Sequence, residues 1–560
     1  MAHGWVVRRS THGSSRGRPK HATIDVADVF VKPFVVHRVV AIVGAQALVL
    51  LGLSIVLSAC AWNRPYRMKG TPEDGWTIED PKPVELEGNP CELASPPRRP
   101  NAKKASCGDA FKAKNGRRDR RGSGFGRTVE WVQKDGEDLY KLGFVEIDDH
   151  GNVFEPDQLK KSLQALEPPP GTGIIMVTYV HGWNHDSHVR DSDVVKMRCM
   201  LGNLAADEAA RVRREGGKAR QVRGMYVSWR GRSFRGRNPL TFWARKQGAH
   251  RVGERSAVSV LTRIQLFAER VTMAAPDSSF VTIGHSFGAA VVHSALEATL
   301  VPELAVAADA ASRGEPVPMV HGLGQITVLL NPAFEAGRYR HARELAQEIA
   351  SHGGFHPDQK PVLLMLTTRK DSTTRNLFPL GMRLRGHKGK FITDARGNER
   401  AEYRTAVGHY TPYHEKQVKV VCASGDELAN SARAAEHTHA FETPSKRCWI
   451  DGWEKAATPL LSVYDDPGEA MCGHNDVFNS TVLTLLTDFV MDIDAPPLVG
   501  RPPPPRTTVV ETPTGPLSSA PGEETPPSHV PPPSEPPVEP PPAGTTRPVR
   551  PTEVINPPED

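Results

Sequence analysis

The sequence predicts an α/β fold: a mostly parallel central sheet with helices on both faces and disordered tails. Three observations carry this. Between 139 and 495, short apolar runs alternate with longer stretches of helical period. Runs such as "GIIMVTYV" are continuously apolar, which marks strands covered on both faces. Glycine and proline cluster at the junctions.

The elements follow in order. "LYKLGFVEIDDHGNVF" (Leu139–Phe154) reads as two short strands joined at Asp149-His150-Gly151, and "PDQLKKSLQALEPPPG" as a helix stopped by prolines. "GIIMVTYVHG" (Gly173–Gly182) is the first long strand. The helix "DVVKMRCMLGNLAADEAARVRREGG" ends on glycine, and "VRGMYVSWRG" (Val222–Gly231) is the next strand. A long helical stretch from Phe242 to Val271 leads to the strand and turn "SFVTIGHSFG", followed by the helix "GAAVVHSALEATL". "QITVLLNPAFE" and "PVLLMLTTRKD" are two further strands around the helix "YRHARELAQEIASHG". Residues 376–458 are less regular and read as an insertion or cap. "PLLSVYDD" is the last strand and "NSTVLTLLTDFVMDI" the closing helix.

The two ends differ from this middle. Of 560 residues, 38% are hydrophobic, and they concentrate between about 140 and 495, enough for one large core. Residues 61–138 are polar, Pro- and Arg-rich and read as a mostly irregular tether. Prolines, 50 in the whole chain, are densest in 496–560, a composition that cannot bury enough apolar area to order itself. A net charge of +6, without a basic face carrying interleaved aromatics, argues against a nucleic-acid partner.

Residues 1–60 read as a leader. "VVAIVGAQALVLLGLSIVLSA" (Val39–Ala59) is uncharged, follows Arg38 and ends at Cys60. Leu57-Ser58-Ala59-Cys60 resembles the bacterial lipobox. That resemblance implies cleavage before Cys60, lipidation of its thiol, and a membrane-anchored lipoprotein of the cell envelope. Ala61, rather than Asp, favours the outer membrane. A transmembrane anchor is the other reading of so long an apolar run. The segment before the run is longer than lipoprotein leaders usually are. Six cysteines follow: Cys91, Cys107, Cys199, Cys422, Cys448 and Cys472. An oxidising compartment permits disulfides, with Cys91–Cys107 and Cys422–Cys448 the local pairings to test. Their spacing suggests no metal site, and no cofactor motif is present.

The chemistry gathers at strand ends. "GHSFG" places Ser286 between Gly284 and Gly288, after an apolar strand and before a helix rich in small residues. A nucleophile elbow needs that arrangement. Hydroxyl attack needs a base, and the base an orienting carboxylate. Asp371 follows the strand "PVLLMLTT", and His474 lies between the last strand and the last helix. The competing residues are Glu335 and Asp465 for the acid, and His409, His414 and His439 for the base. "YVHGWNH" brings His181-Gly182 to the end of the first long strand.

Residues 139–495 together resemble an α/β-hydrolase of the serine esterase and lipase type. The resemblance implies Ser286 as nucleophile, His474 as base and Asp371 as acid, with the backbone N–H groups of Trp183 and Phe287 as the oxyanion hole. It implies a carboxylic ester substrate, a small molecule or a lipid, cleaved through an acyl-enzyme without cofactor or metal. The alternative is a non-catalytic envelope lipoprotein that uses the same fold as a binding scaffold.

Overall fold

The continuous apolar runs become the inner strands of one sheet. The computed structural model describes residues 64–71, 73–86, 125–232, 241–384, 399–424 and 446–494. The leader with Cys60, the Cys91–Cys107 pairing and the proline-rich tail lie outside these residues. The chain divides into two units, Met1–Pro496 and Pro497–Asp560, and all the described residues belong to the first.

The strands are β1 (Lys69–Thr71), β2 (Gly75–Thr77), β3 (Pro83–Glu85), β4 (Val129–Lys134), β5 (Glu137–Ile147), β6 (Ile174–Val180), β7 (Gln221–Trp229), β8 (Ser279–His285), β9 (Ile326–Leu330), β10 (Leu363–Thr368), β11 (Lys419–Ser424), β12 (Lys446–Asp451) and β13 (Leu460–Asp465). Nine of them form one sheet in the order β13-β10-β9-β8-β6-β7-β5-β4-β3. Every pairing from β13 to β5 is parallel. β4 runs antiparallel to β5, and β3 parallel to β4.

The helices are α1 (Pro156–Leu166), α2 (Ser192–Glu215), α3 (Phe242–Gly253), α4 (Ser256–Ala274), α5 (Phe287–Ser312), α6 (Ala336–Ser351), α7 (Phe378–Leu384), α8 (Glu399–Arg404) and α9 (Ser480–Asp494). They cover both faces. On one, α1, α3, α4, α5 and α6 pack with Ile174, Met176, Phe280 and Leu329 of the sheet. On the other, α2 and α9 pack with Val177, Tyr179, Ile283, Val328 and Leu330. Neighbouring strand residues thus divide between two cores, so the strands are apolar throughout rather than alternating. α5 is long and apolar enough to cross a membrane, yet it lies largely buried against the sheet.

Two expectations are corrected. β5 is one long strand. Its hairpin partner is β4, joined through Asp135 (φ 54°) and Gly136 (φ 79°), and only a single bridge, Ile147 to Val153, marks the expected second strand. An Asp-Gly pair at positive φ is the hairpin turn that matches strand twist. The helical stretch after Phe242 breaks at Glu254–Arg255, where Arg255 leaves helical geometry (φ −121°, ψ −110°). Within 61–138, read as mostly irregular, the described residues carry the short strands β1 to β4.

The segment around Arg67 is locked down by charge. The Arg67 guanidinium, fully buried, donates to Glu130 Oε1 at 2.5 Å and stands over the Phe144 ring at 3.5 Å. Arg198 binds the same carboxylate with two donors, at 2.6 and 2.7 Å. Glu146 accepts the backbone N–H groups of Tyr66 (2.7 Å) and Arg67 (3.1 Å). Between these two arginines the Glu130 carboxyl is held down at about 2, against the upward push of burial.

The 376–458 region is woven into the domain where it is described. Val407, Tyr410 and Tyr413 are buried in the same core as α5 and α6. β11 and β12 pair antiparallel and carry the disulfide Cys422–Cys448. Cys199 and Cys472 are also disulfide-bonded.

Candidate functional site

The chain runs from β6 to its neighbour β7 on one side, and returns to β8 on the other. The crevice at the carboxyl ends of β6 and β8 is therefore a topological switch point, where open α/β sheets place their ligands. Ser286 stands at the end of β8 and the His181-Gly182-Trp183 turn at the end of β6.

Ser286 has φ 58° and ψ −121°, a region that costs a non-glycine residue about 1–3 kcal/mol. The surroundings hold it there. Its N–H donates to Leu330 O (3.1 Å), and its carbonyl accepts Ala333 N–H (3.1 Å). The flanking glycines are required by space. A Cβ on Gly288 would lie 2.1 Å from Val180 O, and one on Gly284 2.8 Å from the Ala289 Cα.

Three predicted residues come together. Ser286 Oγ is 2.8 Å from His474 Nε2, and His474 Nδ1 is 2.8 Å from Asp371 Oδ2. Asp371 is fully buried at the end of β10, and its Oδ1 accepts the N–H groups of Thr373 (2.9 Å) and Thr374 (3.1 Å). Burial pushes its carboxyl upward, but His474 and the Thr374 donors outweigh this and leave it below the usual range. It is thus an ionised acceptor for His474 Nδ1–H. The histidine is oriented to take a proton from Ser286 at Nε2.

The loop carrying His474 has three anchors. Asp465 accepts the N–H groups of Glu469 (2.9 Å) and Met471 (3.1 Å). His285, the residue before the nucleophile, donates from Nε2 to His474 O at 2.8 Å. Asn331, fully buried at φ 45° after β9, donates to the same carbonyl at 3.1 Å. Burial, with His474 beside it, holds the His285 imidazole down at about 3, so it stays neutral. His285 and Asn331 were not foreseen. The only sequence signal was "NP" at a strand end, a turn mark that says nothing of a partner far along the chain.

The competing residues have other partners. Glu335 accepts Lys246 Nζ at 2.6 Å. His414 Nε2 contacts Gly408 O at 3.0 Å, and His409 Nε2 contacts Thr374 Oγ1 at 3.0 Å. His439 lies outside the described residues.

The β6 turn touches the nucleophile. A Cβ on Gly182 would come within 2.9 Å of Ser286 Cβ. His181 is fully buried, accepts Trp229 N–H at Nε2 (3.2 Å) and so donates from Nδ1 to Gly182 O (2.9 Å). Burial keeps it neutral, at about 4. This fixes the backbone on which Trp183 sits. The Trp183 ring meets Phe287 (6.1 Å) and Phe242 (6.0 Å), and Phe242 meets Phe378 (6.0 Å). Aromatic surface therefore borders the serine.

His185, Asp191 and Asp193 bring ligand atoms within 4.8 Å of one another, the spacing of a cation site. Their charges are already met. His185 Nδ1 is 2.9 Å from Asp191, Arg232 binds Asp191 at 2.8 Å, and Lys196 faces Asp193 at 3.6 Å. Two resident cations oppose a third. A cavity of about 160 Å³ between α2 and α9, lined by Leu204, Val281, Leu486 and Val490 among others, contains none of the three catalytic candidates. No protein-family model matches the chain, and no curated protein matches it.

Proposed function

We propose that the chain is a serine hydrolase of the α/β-hydrolase type that cleaves carboxylic esters through an acyl-enzyme on Ser286. The hydrogen-bonded line Ser286–His474–Asp371, two contacts of 2.8 Å joining residues up to 188 positions apart, carries this reading. Ser286 Oγ attacks the ester carbonyl while His474 Nε2 takes its proton. Asp371 holds Nδ1–H and stabilises the imidazolium that forms. The N–H groups of Trp183 and Phe287 are the proposed donors to the developing oxyanion. His474 returns the proton to the leaving alkoxide, then activates the water that releases the acid.

The aromatic border of Trp183, Phe242 and Phe287 suits an apolar acyl or alcohol group. The proposed setting is a lipid-anchored protein of the bacterial cell envelope, attached through Cys60. The test is hydrolysis of p-nitrophenyl esters of increasing acyl length by the full chain, beside Ser286→Ala and His474→Ala. Turnover that both variants lose supports the reading. Turnover that survives in both sinks it and favours a scaffold with adventitious activity.

A further inference from the structure

The catalytic acid has a second histidine behind it. Thr374 Oγ1 hydrogen-bonds Asp371 Oδ2, the oxygen that also meets His474 Nδ1. On its other side Thr374 Oγ1 lies 3.0 Å from His409 Nε2. The hydroxyl has one proton, and an ionised Asp371 has none to give. Thr374 therefore donates to Asp371, and His409 must donate from Nε2 to Thr374. The line reads His409 → Thr374 → Asp371 ← His474 ← Ser286.

We infer that His409 is a positioning residue for the hydrolysis proposed above: its Nε2–H fixes the Thr374 rotor so that the hydroxyl always supports Asp371. The inference rests on that reading of the site for its catalytic meaning. The fold holds His409 in place. It sits in the 3₁₀ turn Val407–His409, where Val407 N–H donates to Phe334 O at 2.9 Å. The turn is seated on β10, for any Cβ on Gly408 would overlap Thr367 Oγ1. The His409 ring stands edge-on to Tyr464 at 5.7 Å. Burial holds it down at about 4, so it is the neutral donor the line requires. The charged and titratable groups facing it are Asp371, His414, Arg375, His474 and Tyr464. His474 is faced by Asp371 and by neutral His285, their rings 5.0 Å apart.

Losing the Thr374 donor leaves more of the Asp371 charge on His474. The imidazolium is then favoured, and His474 titrates at higher pH. The experiment follows the His474 ring resonances of histidine-labelled full chain through a pH titration, beside the rate of fluorophosphonate labelling at neutral pH. In His409→Leu the titration should move to higher pH and labelling slow on the order of tenfold. His409→Gln, which restores an N–H near the Nε2 position, should recover both. Thr374→Val, nearly isosteric, should reproduce the Leu variant and make the double variant no worse, which keeps the test alive if His409→Leu fails to fold.

Wild-type titration and labelling in His409→Leu, or in Thr374→Val, overturn the inference. So does a Gln variant as impaired as Leu, since the ring would then only fill space. If the wild type takes no label while the titration still shifts, the hydrolase reading fails and the positioning role stands.

Discussion

Two regions of the domain bury charge, and they do it for different ends. At the carboxyl ends of β8, β10 and β13, one carboxylate, Asp371, is paired with a histidine that the fold leaves able to exchange protons. At the β4–β5 edge, Glu130 is clamped between Arg67 and Arg198 and has nothing to exchange. Both carboxylates are fully buried, and both are held below their ordinary range. The difference is the partner. A guanidinium makes a fixed ion pair that fastens the chain before β1 to the domain. An imidazole hydrogen-bonds from both ring nitrogens, and here it joins Asp371 to the Ser286 hydroxyl. Burial of charge alone does not mark a catalytic centre.

The sharpest break between the regions is loss of function without loss of fold. Ser286→Ala and His474→Ala should each lower ester turnover by up to about 10⁶-fold. Asp371→Asn should cost about 10⁴-fold by fixing the wrong tautomer. All three should keep wild-type urea midpoints, and activity assays beside equilibrium unfolding check both halves.

Arg67→Met should do the reverse. It leaves Glu130 buried with one guanidinium instead of two and Ser187 O without the Arg67 Nε–H, and breaking a buried pair costs about 3–5 kcal/mol. The urea midpoint should fall while the folded fraction labels at the wild-type rate. Slower labelling of that folded fraction would mean the β4–β5 edge supports the site after all.

Gly288→Ala tests where the two kinds of demand merge. Its Cβ would meet Val180 O at 2.1 Å, and overpacking against backbone costs about 3 kcal/mol or more. Stability and labelling should fall together, because the same backbone seats Ser286.

Acid should separate the regions in a smaller way. Burial holds His181 and His409 at about 4, and His285 and His293 at about 3. These values lie below the usual imidazole pKa, so the unfolded chain takes up protons first. Their contribution is complete above about pH 6.5 and is eroded as pH falls towards 4. Glu130, held at about 2, contributes fully above the ordinary glutamate range and loses that only below about pH 4.5. Tm against pH should fall in two stages, with Arg67→Met shrinking only the lower one. A single acid transition below pH 4.5 would contradict the neutral histidines.

The same contrast decides what could be read in the sequence. The elbow was legible because its steric demands are local: Gly284 and Gly288 must flank Ser286 wherever a strand turns so sharply into a helix. Asp371 and His474 were legible as polar residues just past apolar strands. The Arg67 site was not, because Glu130 lies 63 positions from Arg67, and both sit in stretches whose polarity reads as solvent-exposed. Thr374 and Asn331 were missed, and His409 was read only as a competing base, for the same reason. Their roles exist only once β9, β10 and the 405–415 turns are side by side. The cut between β4 and β5 was missed through a turn signal, Asp135-Gly136, overlooked inside a polar stretch.

The central claim is that Ser286 is an activated nucleophile. The most direct measurement is fluorophosphonate labelling of the full chain, followed by mass mapping of the adduct. The account predicts one phosphonyl group on Ser286, absent after Ser286→Ala and strongly reduced after His474→Ala. A folded wild-type chain that takes no label, or takes it at another residue, would contradict it.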